Sequence, residues 1–217
     1  MSLIDPPAAT AELRCARLKR CFDVIFSLTG LVLLSPLFLL AAILVKGEDG
    51  GPVWFRQERI GLGGRPFRMW KFRSMVVDAE RKGTAITVGA DGRITRVGRW
   101  LRRTKVDELP QLINVLAGTM SLVGPRPEVR RYTELYSPEQ NAVLAIKPGV
   151  TDPASIKYRD ENDILAASQD PEHYYIQVII PDKIRINLEY ARQATLWSDT
   201  LVILRTLGLL RREEASR

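Results

Sequence analysis

Residues 24–45 read VIFSLTGLVLLSPLFLLAAILV, a run without a single charged side chain. A helix needs about 20 such residues to cross the hydrocarbon core of a bilayer, so the length of the run predicts a membrane segment. Ser35 and Pro36 lie near its middle. Proline lacks a backbone N–H and its ring clashes with the carbonyl four residues back, which predicts a kink at this point. Each half, at ~1.5 Å per residue, then reaches only part of the way across the membrane.

Basic residues flank the run on both sides. The flanking cations are Arg14, Arg17, Lys19 and Arg20 before it and Lys46, Arg56, Arg59 and Arg65 after it. Because positive flanks stay on the cytoplasmic side, both ends are expected there. A helix-break-helix hairpin that enters and leaves the inner leaflet satisfies the kink and both flanks. A kinked spanning helix is the alternative, since the hydroxyl of Ser35 can satisfy a freed backbone group. No small-residue cleavage motif follows the run, which disfavours a secretory signal.

The composition narrows the class of partner. The chain has 217 residues, 46% of them hydrophobic, which predicts one domain of ordinary size with its attachments. A formal net charge of +7 favours anionic partners, namely nucleic acid, phospholipid headgroups or phosphorylated substrates. Cys15 and Cys21 are the two cysteines, so a disulfide framework is excluded, and incidental thiols are favoured over palmitoylation. His173 is the sole histidine, which excludes a histidine triad and a multi-histidine metal site.

Beyond the membrane run the pattern predicts alternating strands and helices. Residues 52–60 and 66–72 resemble two short strands joined by a glycine turn rather than a dinucleotide-binding fingerprint. Residues 97–101 and 109–116 have apolar positions at helical spacing. Residues 194–210 form an apolar segment interrupted by charges, which fits a helix lying on the membrane surface or an ordinary core-packing helix equally well.

The candidate catalytic residues lie in residues 100–127, which read WLRRTKVDELPQLINVLAGTMSLVGPRP. An adjacent acid pair is surrounded by cations, and the residues concerned are Asp107, Glu108, Arg102, Arg103, Lys105 and Arg126. One acid of such a pair can attack phosphorus or hold a metal while the cations neutralise phosphoryl oxygens. The simpler alternative is a pair of acids favoured by the dipole of the following helix.

Local sequence sharpens this hypothesis. A position at a helix N-terminus offers free N–H groups to phosphate and predicts that Asp107 and Glu108 stay ionised. Pro125 and Pro127 restrict Arg126, which suits bidentate phosphate binding. Lys71 and Arg73 are either solvated surface charges or the beginning of a phosphate site.

Taken in order, five motifs carry a resemblance: the run with Ser35-Pro36, GPVWFRQERIGLGGRPFRMWKFRSM, LRRTKVDELPQLINVLAG, SLVGPRPE and KPGVT. From Lys19 onward the chain resembles the bacterial sugar transferases, the monotopic phosphoglycosyl transferases. That resemblance implies transfer of a sugar-1-phosphate from a UDP-sugar to polyprenyl phosphate, with release of UMP. It also implies a catalytic domain on the cytoplasmic face of the bacterial inner membrane, held there by a re-entrant helix.

The resemblance assigns roles residue by residue. Asp107 matches the aspartate nucleophile, which would form a covalent phosphosugar intermediate, and Glu108 matches its partner associated with Mg²⁺. Arg102, Arg126 and the Lys71–Arg73 motif match cations near the phosphates. Where many relatives have a Gly-Trp-Ala type of continuation after the KPGVT motif, this chain has Asp152-Pro153-Ala154-Ser155, which leaves the identity of the sugar open.

The expected architecture is an α/β catalytic domain with a kinked re-entrant membrane helix and interfacial amphipathic helices. The expected divisions are an N-terminal segment at 1–18, the membrane segment at 19–46, the catalytic domain at 47–211 and a tail at 212–217. The expected partners are the UDP-sugar, polyprenyl phosphate and inner-leaflet phospholipid, with no nucleic acid; a homodimer is left open. The alternative function is a membrane-tethered basic module that binds lipid or nucleic acid without catalysis, although the sequence shows no aromatic stacking platform for nucleic acid.

Overall fold

The computed structural model describes the backbone of residues 6–79 and 91–210 and the side chains of residues 16–79 and 91–210. The helices are α1 Pro6–Leu33, α2 Ser35–Asp49, α3 Arg96–Thr104, α4 Gln111–Ala117, α5 Arg130–Thr133, α6 Pro153–Lys157, α7 Glu161–Ala166, α8 Pro171–Tyr174, α9 Ile180–Arg192 and α10 Leu196–Thr206. The strands are β1 Trp54–Ile60, β2 Pro66–Phe72, β3 Ser121–Val123 and β4 Gly149–Thr151. The predicted mixture of helix and strand is confirmed. The side chain of Cys15 and the predicted tail at 212–217 lie outside the described residues.

The apolar run forms two helices that meet at Leu34. The pair Ala16–Leu33 and Ser35–Asp49 is bent by 59°. Pro36 lies in the first turn of α2, where its missing N–H costs no hydrogen bond, and the Ser35 hydroxyl donates to the carbonyl of Val32 at 2.8 Å. The predicted kink is therefore confirmed. Among the described helices, no single one has the length and hydropathy to cross a membrane, whereas this bent pair meets both requirements together.

The two strands predicted at 52–60 and 66–72 form an antiparallel hairpin. Trp54 pairs with Phe72 and Ile60 pairs with Pro66 across β1 and β2. The turn between them includes Gly63 and Gly64 at positive φ, a backbone conformation that glycine adopts without steric cost. The glycine-turn interpretation is confirmed.

A second, smaller sheet positions the Pro-Arg-Pro loop. Strands β3 and β4 are parallel and pair Ser121 with Gly149. Immediately after β3, Gly124 approaches Gly149 so closely that a Cβ built on Gly149 would lie 2.1 Å from the Gly124 nitrogen. This close backbone approach requires glycine and fixes the start of the loop that carries Arg126.

Three apolar clusters of buried residues hold the helices and strands together. One joins α2, β2 and α3 and contains Ala41, Val45, Phe72, Leu101 and Val106. A second joins β2, α4, β3 and α10 and contains Met69, Val115, Met120, Leu122, Val123 and Val202. The third joins α5, α7 and α9 and contains Tyr132, Val143, Leu165, Tyr175, Ile179, Ile180 and Ile184. Because the first two clusters share β2, the helical hairpin and the α4 region pack on the same strand.

Hydrogen bonds from Arg20 and to Asp23 hold the middle of α1 against the rest of the protein. Asp23 is buried and accepts hydrogen bonds from the Leu122 backbone N–H at 3.0 Å and the Ser121 hydroxyl at 3.1 Å. Arg20 donates to the carbonyls of Val115 and Leu116 at the end of α4. These contacts fix α1 against both β3 and α4.

Helix α10, within the segment predicted at 194–210, has two faces. Its inner face buries Val202 in the core, and its buried Asp199 pairs with Lys19 of α1. On its outer face Trp197 is 70% exposed. The segment therefore packs on the core along one side and presents apolar surface along the other.

Candidate active site

The acid pair lies in a short 3-10 turn, Val106–Glu108, between α3 and α4. Helix α3 ends at Thr104, and the φ of 60° at the next residue, Lys105, turns the chain out of the helical path. Helix α4 then begins at Gln111 after Pro110. Asp107 and Glu108 thus precede a helix N-terminus, as predicted.

Two cations from separate elements converge on Glu108. Lys71, from β2, donates from Nζ to Oε1 at 2.9 Å. Arg126, from the loop after β3, donates from Nη1 to Oε2 at 2.9 Å and forms a second contact from Nη2 to Oε1. This two-nitrogen pairing is the strong geometry for arginine and a carboxylate. Residues distant in sequence therefore meet at one carboxylate.

Asp107 is buried, and its Oδ1 has no hydrogen-bond partner among the described residues. One helical turn further on, the buried Nε2 of Gln111 is likewise unpartnered within the same described part of the chain. Buried polar atoms normally have partners, and those that lack them are frequent at functional sites. Gln111 was not singled out in the sequence, although its place four residues after Asp107 puts it on the same side of a helical path.

The pKa values of the two acids move in opposite directions. Burial raises the pKa of Asp107, the charge of Glu108 raises it further, and Lys71 and Arg102 oppose the change. Burial also acts to raise the pKa of Glu108, but the charges and hydrogen bonds of Arg126 and Lys71 outweigh it and hold that pKa well below its usual range. That both acids stay ionised at neutral pH remains a prediction, which the lowered pKa of Glu108 favours and the raised pKa of Asp107 opposes. The two pKa values differ because Asp107 lacks the donors that stabilise the charge on Glu108.

The remaining predicted cations occupy different places. Arg102, in the last turn of α3, acts on Asp107 through its charge and forms no hydrogen bond or ion pair within the described residues. Arg73 is buried and pairs with Asp49 at the end of α2, and its Nε donates to the Pro52 carbonyl at 2.6 Å. The structure therefore brings Lys71, Arg102 and Arg126 to the acid pair. Arg73 instead holds α2 against β2.

Supporting residues that the sequence did not reveal fix both cations in place. The Asn114 side chain donates to the Arg68 carbonyl at 2.9 Å and accepts from the Trp70 N–H at 2.9 Å, which ties α4 to the strand that carries Lys71. Buried Arg59 donates to the Pro127 carbonyl at 3.1 Å, next to Arg126. A polar Asn114 within the otherwise apolar helical pattern was the available signal for the first contact.

Glu128 completes the support behind the Pro-Arg-Pro loop. It accepts a hydrogen bond from the Tyr175 hydroxyl at 2.5 Å, and its Oε2 lies 3.6 Å from Nη1 of Arg59. The loop is thereby connected to β1 and to the helical region that follows α8. Arg126 is therefore held by the anchoring of the two residues that follow it, Pro127 and Glu128, as well as by its pairing with Glu108.

The resemblance implies a Mg²⁺ ion at the acid pair, and the oxygen atoms available there decide whether one fits. Among the described residues no group of three or more histidine, cysteine or acidic side chains gathers to hold a metal. Mg²⁺ often needs only one or two carboxylates, with waters and substrate phosphates completing its shell. Asp107 Oδ1 is unpartnered, and Glu108 Oε2 accepts only from Arg126, so each has a lone pair left. The pair fits a magnesium ion in this substrate-assisted manner.

Comparison with known proteins identifies the family. The family model described as bacterial sugar transferase matches residues 14–212. The chain is 38% identical over 207 residues to the UDP-glucose:undecaprenyl-phosphate glucose-1-phosphate transferase of Caulobacter vibrioides, covering 94% of this chain and 72% of that protein. It is also 38% identical over 194 residues to the protein of the same name from Escherichia coli, covering 88% of this chain and 39% of that protein.

A third relative differs in the sugar that its name specifies. The UDP-N-acetylgalactosamine-undecaprenyl-phosphate N-acetylgalactosaminephosphotransferase of Aeromonas hydrophila is 36% identical over 195 residues, covering 88% of this chain and 43% of that protein. The chain thus spans about two fifths of the length of two of these relatives. These matches show that the chain belongs to the bacterial sugar transferase family.

Proposed function

We propose that this protein transfers a sugar-1-phosphate from a UDP-sugar to polyprenyl phosphate and thereby initiates the synthesis of a surface glycan. The observation that carries the proposal is that two adjacent acids have different surroundings. Asp107 has an unpartnered buried oxygen, while Glu108 beside it is held by Lys71 and Arg126. The names of the relatives support the class of reaction, because they specify nucleotide-sugar donors and undecaprenyl phosphate.

The proposed chemistry has two steps. An oxygen of Asp107 forms a bond to the phosphorus that bears the sugar, as the bond from that phosphorus to the oxygen of UMP breaks. An oxygen of polyprenyl phosphate then attacks the same phosphorus, and the bond to Asp107 breaks and regenerates the carboxylate. The first step needs an ionised Asp107, although burial raises its pKa. The unpaired charge of Arg102 nearby favours the ionised form.

The cations and a metal share the neutralisation of phosphate charge. Lys71 and Arg126 fix Glu108, and their remaining N–H groups can face phosphoryl oxygens as negative charge develops on them. We propose that Asp107 and Glu108 hold Mg²⁺ together with the donor's diphosphate. The metal would offset charge on the diphosphate and on the departing UMP.

We also propose that α1 and α2 form a re-entrant hairpin in the inner leaflet of the bacterial cytoplasmic membrane. The bend of 59° at Leu34 and the exposed apolar side chains of both helices support this. The exposed side chains include Ile25, Phe26, Leu28, Val32, Leu33, Leu39, Leu40 and Ile43. Because the basic flanks favour the cytoplasmic side, the catalytic domain would face the cytoplasm. The active site would then meet the phosphate of a polyprenyl carrier at the headgroup plane and the nucleotide sugar in water.

The deciding experiment combines turnover with detection of the intermediate. Purified protein in detergent is incubated with a panel of UDP-sugars, with and without polyprenyl phosphate and with and without Mg²⁺, and released UMP is measured. We expect UMP release that depends on Mg²⁺. Since direct attack by the acceptor would also release UMP, mass spectrometry without acceptor is the second measurement, and we expect a phosphosugar on the peptide that contains Asp107. Absence of UMP release with every donor would refute the proposed function, and a phosphosugar on another residue would refute the role of Asp107.

A further inference from the structure

A cavity of about 40 Å³ lies behind Arg126, between the Pro-Arg-Pro loop, the 3-10 helix Gln140–Ala145 and α9. Arg126 lines this cavity and also pairs with Glu108, so the cavity adjoins the acid pair through one side chain. Its volume has room for a few water molecules. The side chains on its α9 wall were not among the predicted site residues.

Asn187 is the unusual member of the cavity wall. It is only 5% exposed, lines the cavity, and its side-chain amide forms no hydrogen bond with any described residue. An amide can donate two hydrogen bonds and accept two. The amide is therefore available to a polar group that enters the cavity.

The backbone before Asn187 is also irregular. Residues Tyr175–Ile179 form a π-helical segment that runs directly into α9. Such segments are rare and are frequently found at functional sites. This one precedes the turns of α9 that carry the cavity-lining residues, which are Ile180, Lys183, Ile184 and Asn187.

The charges around the cavity balance. Arg126 and Lys183 face Glu128 and Asp152 in its lining, and Lys183 is paired with Glu161. Such a wall has no surplus positive charge to attract a further phosphate. Ile180 and Ile184 add apolar surface. A wall that is apolar in part and offers a free neutral amide suits a neutral polyhydroxylated group, which presents C–H surface and hydroxyls together.

We infer that this cavity receives the substituent-bearing edge of the donor's sugar, and that Asn187 hydrogen-bonds to a hydroxyl or acetamido group there. This inference rests on the proposed function and assigns a donor-selecting residue within it. The volume admits an edge of a hexose rather than the whole ring. With its phosphate beside Arg126, the sugar would lie next to this cavity, because Arg126 lines it.

The test compares Asn187→Ala and Asn187→Leu with the wild-type protein on UDP-glucose, UDP-galactose, UDP-N-acetylglucosamine and UDP-N-acetylgalactosamine. We expect kcat/KM for the preferred donor to fall roughly tenfold, which corresponds to the loss of about one hydrogen bond. The kcat/KM values for the poor donors should change little, so the ratio of kcat/KM between preferred and poor donors should shrink. The affinity for UDP alone, measured by calorimetry, should stay within twofold of wild type. Asn162→Ala, at an exposed position on α7, is the matched control and should preserve both values.

Three outcomes would overturn the inference. An equal loss with all four donors would show a structural role, and weaker binding of UDP would place the nucleotide rather than the sugar at Asn187. Unchanged donor ratios in a folded Asn187→Leu protein, which keeps the side-chain shape but has no polar atom, would exclude recognition by the amide even if Asn187→Ala fails to fold. If the wild-type protein is active but the substitutions leave the donor ratios unchanged, the proposed function stands and only this inference fails. An inactive wild type would defeat both.

Discussion

Asp107 and Glu108 are neighbours in the chain, and their environments push their pKa values apart. Glu108 accepts hydrogen bonds from Lys71 and Arg126, and its pKa is held well below its usual range. Asp107 has an unpartnered Oδ1, and its pKa is raised by burial and by the charge of Glu108. Adjacent acids with opposite shifts commonly have separate tasks at an active site. Glu108 is suited to organising cations, and Asp107 to reacting.

Replacing Asp107 with asparagine should abolish turnover without harming the fold. Turnover should fall roughly a thousandfold or more, because the nucleophile is lost. The pKa of Asp107 is higher in the folded state than in the unfolded state, so ionising this carboxyl lowers the free energy of unfolding. Asparagine carries no charge and avoids this loss. The unfolding temperature of the variant at neutral pH should therefore equal or exceed that of wild type in thermal scans. Asp160→Asn, at an exposed position, should leave turnover unchanged. Robust activity of the Asp107→Asn protein would contradict the covalent mechanism.

Replacing Arg126 with alanine should lower turnover roughly a hundredfold, because it removes a cation from the proposed phosphate site and one of the two partners of Glu108. Membrane attachment, measured by flotation with vesicles, should be unaffected. Exposed Arg192, at the end of α9, gives a control of equal charge, and Arg192→Ala should retain wild-type turnover. Loss of attachment together with activity in Arg126→Ala would instead indicate a structural role.

Replacing Pro36 with leucine should favour one straight helix across residues 16–49, since it restores the backbone donor and removes the ring. A straightened segment could cross the bilayer and carry the N-terminus to the periplasm. The measurement is labelling of single cysteines near Lys19 and near Lys46 in intact cells, with Cys15 and Cys21 changed to serine. In the protein with Pro36 neither position should be labelled from the periplasm. Periplasmic labelling of one of them would rule out the re-entrant hairpin.

Asp23→Ala should weaken the attachment of α1 to β3. The substitution leaves the buried Leu122 N–H without its acceptor, which lowers the free energy of unfolding by about 1–3 kcal/mol. Thermal or denaturant unfolding in detergent would measure this loss. Glu134→Ala, at an exposed position, should change stability by less than about 0.5 kcal/mol. Equal stability of the two variants would show that these buried hydrogen bonds contribute nothing net.

Gly98→Ala should disrupt the approach of α3 to the end of β2. A Cβ at this position would lie 2.0 Å from the Ser74 carbonyl oxygen, so the backbone must shift. Because α3 leads directly into the acid pair, both stability and turnover should fall. Gly47→Ala is the matched control, since nothing lies within 4 Å of its added Cβ in α2. Wild-type stability and turnover of Gly98→Ala would show that the backbone can shift at this contact at little cost.

Local sequence by itself determined the elements and the chemical character of the site. The proline at position 36 prevents one continuous helix because it lacks a backbone donor and its ring clashes with the carbonyl four residues earlier, and the kink is where it was predicted. The glycines at 61–64 predicted the β1–β2 turn, and the Asp-Glu pair with its cations predicted phosphate chemistry. These inferences depend on residues close in sequence, whose geometry the backbone limits.

Only the tertiary structure decided which of the charged residues meet. Lys71 and Arg73 stand two residues apart, yet Lys71 binds Glu108 while Arg73 binds Asp49. The opposite pKa shifts of Asp107 and Glu108 also depend on burial and on long-range partners, which no local pattern encodes. Asn187 joins the cavity behind Arg126 because α9 packs beside a loop some sixty residues earlier. Charge pairing and burial act through space, so they become definite only when the chain has folded.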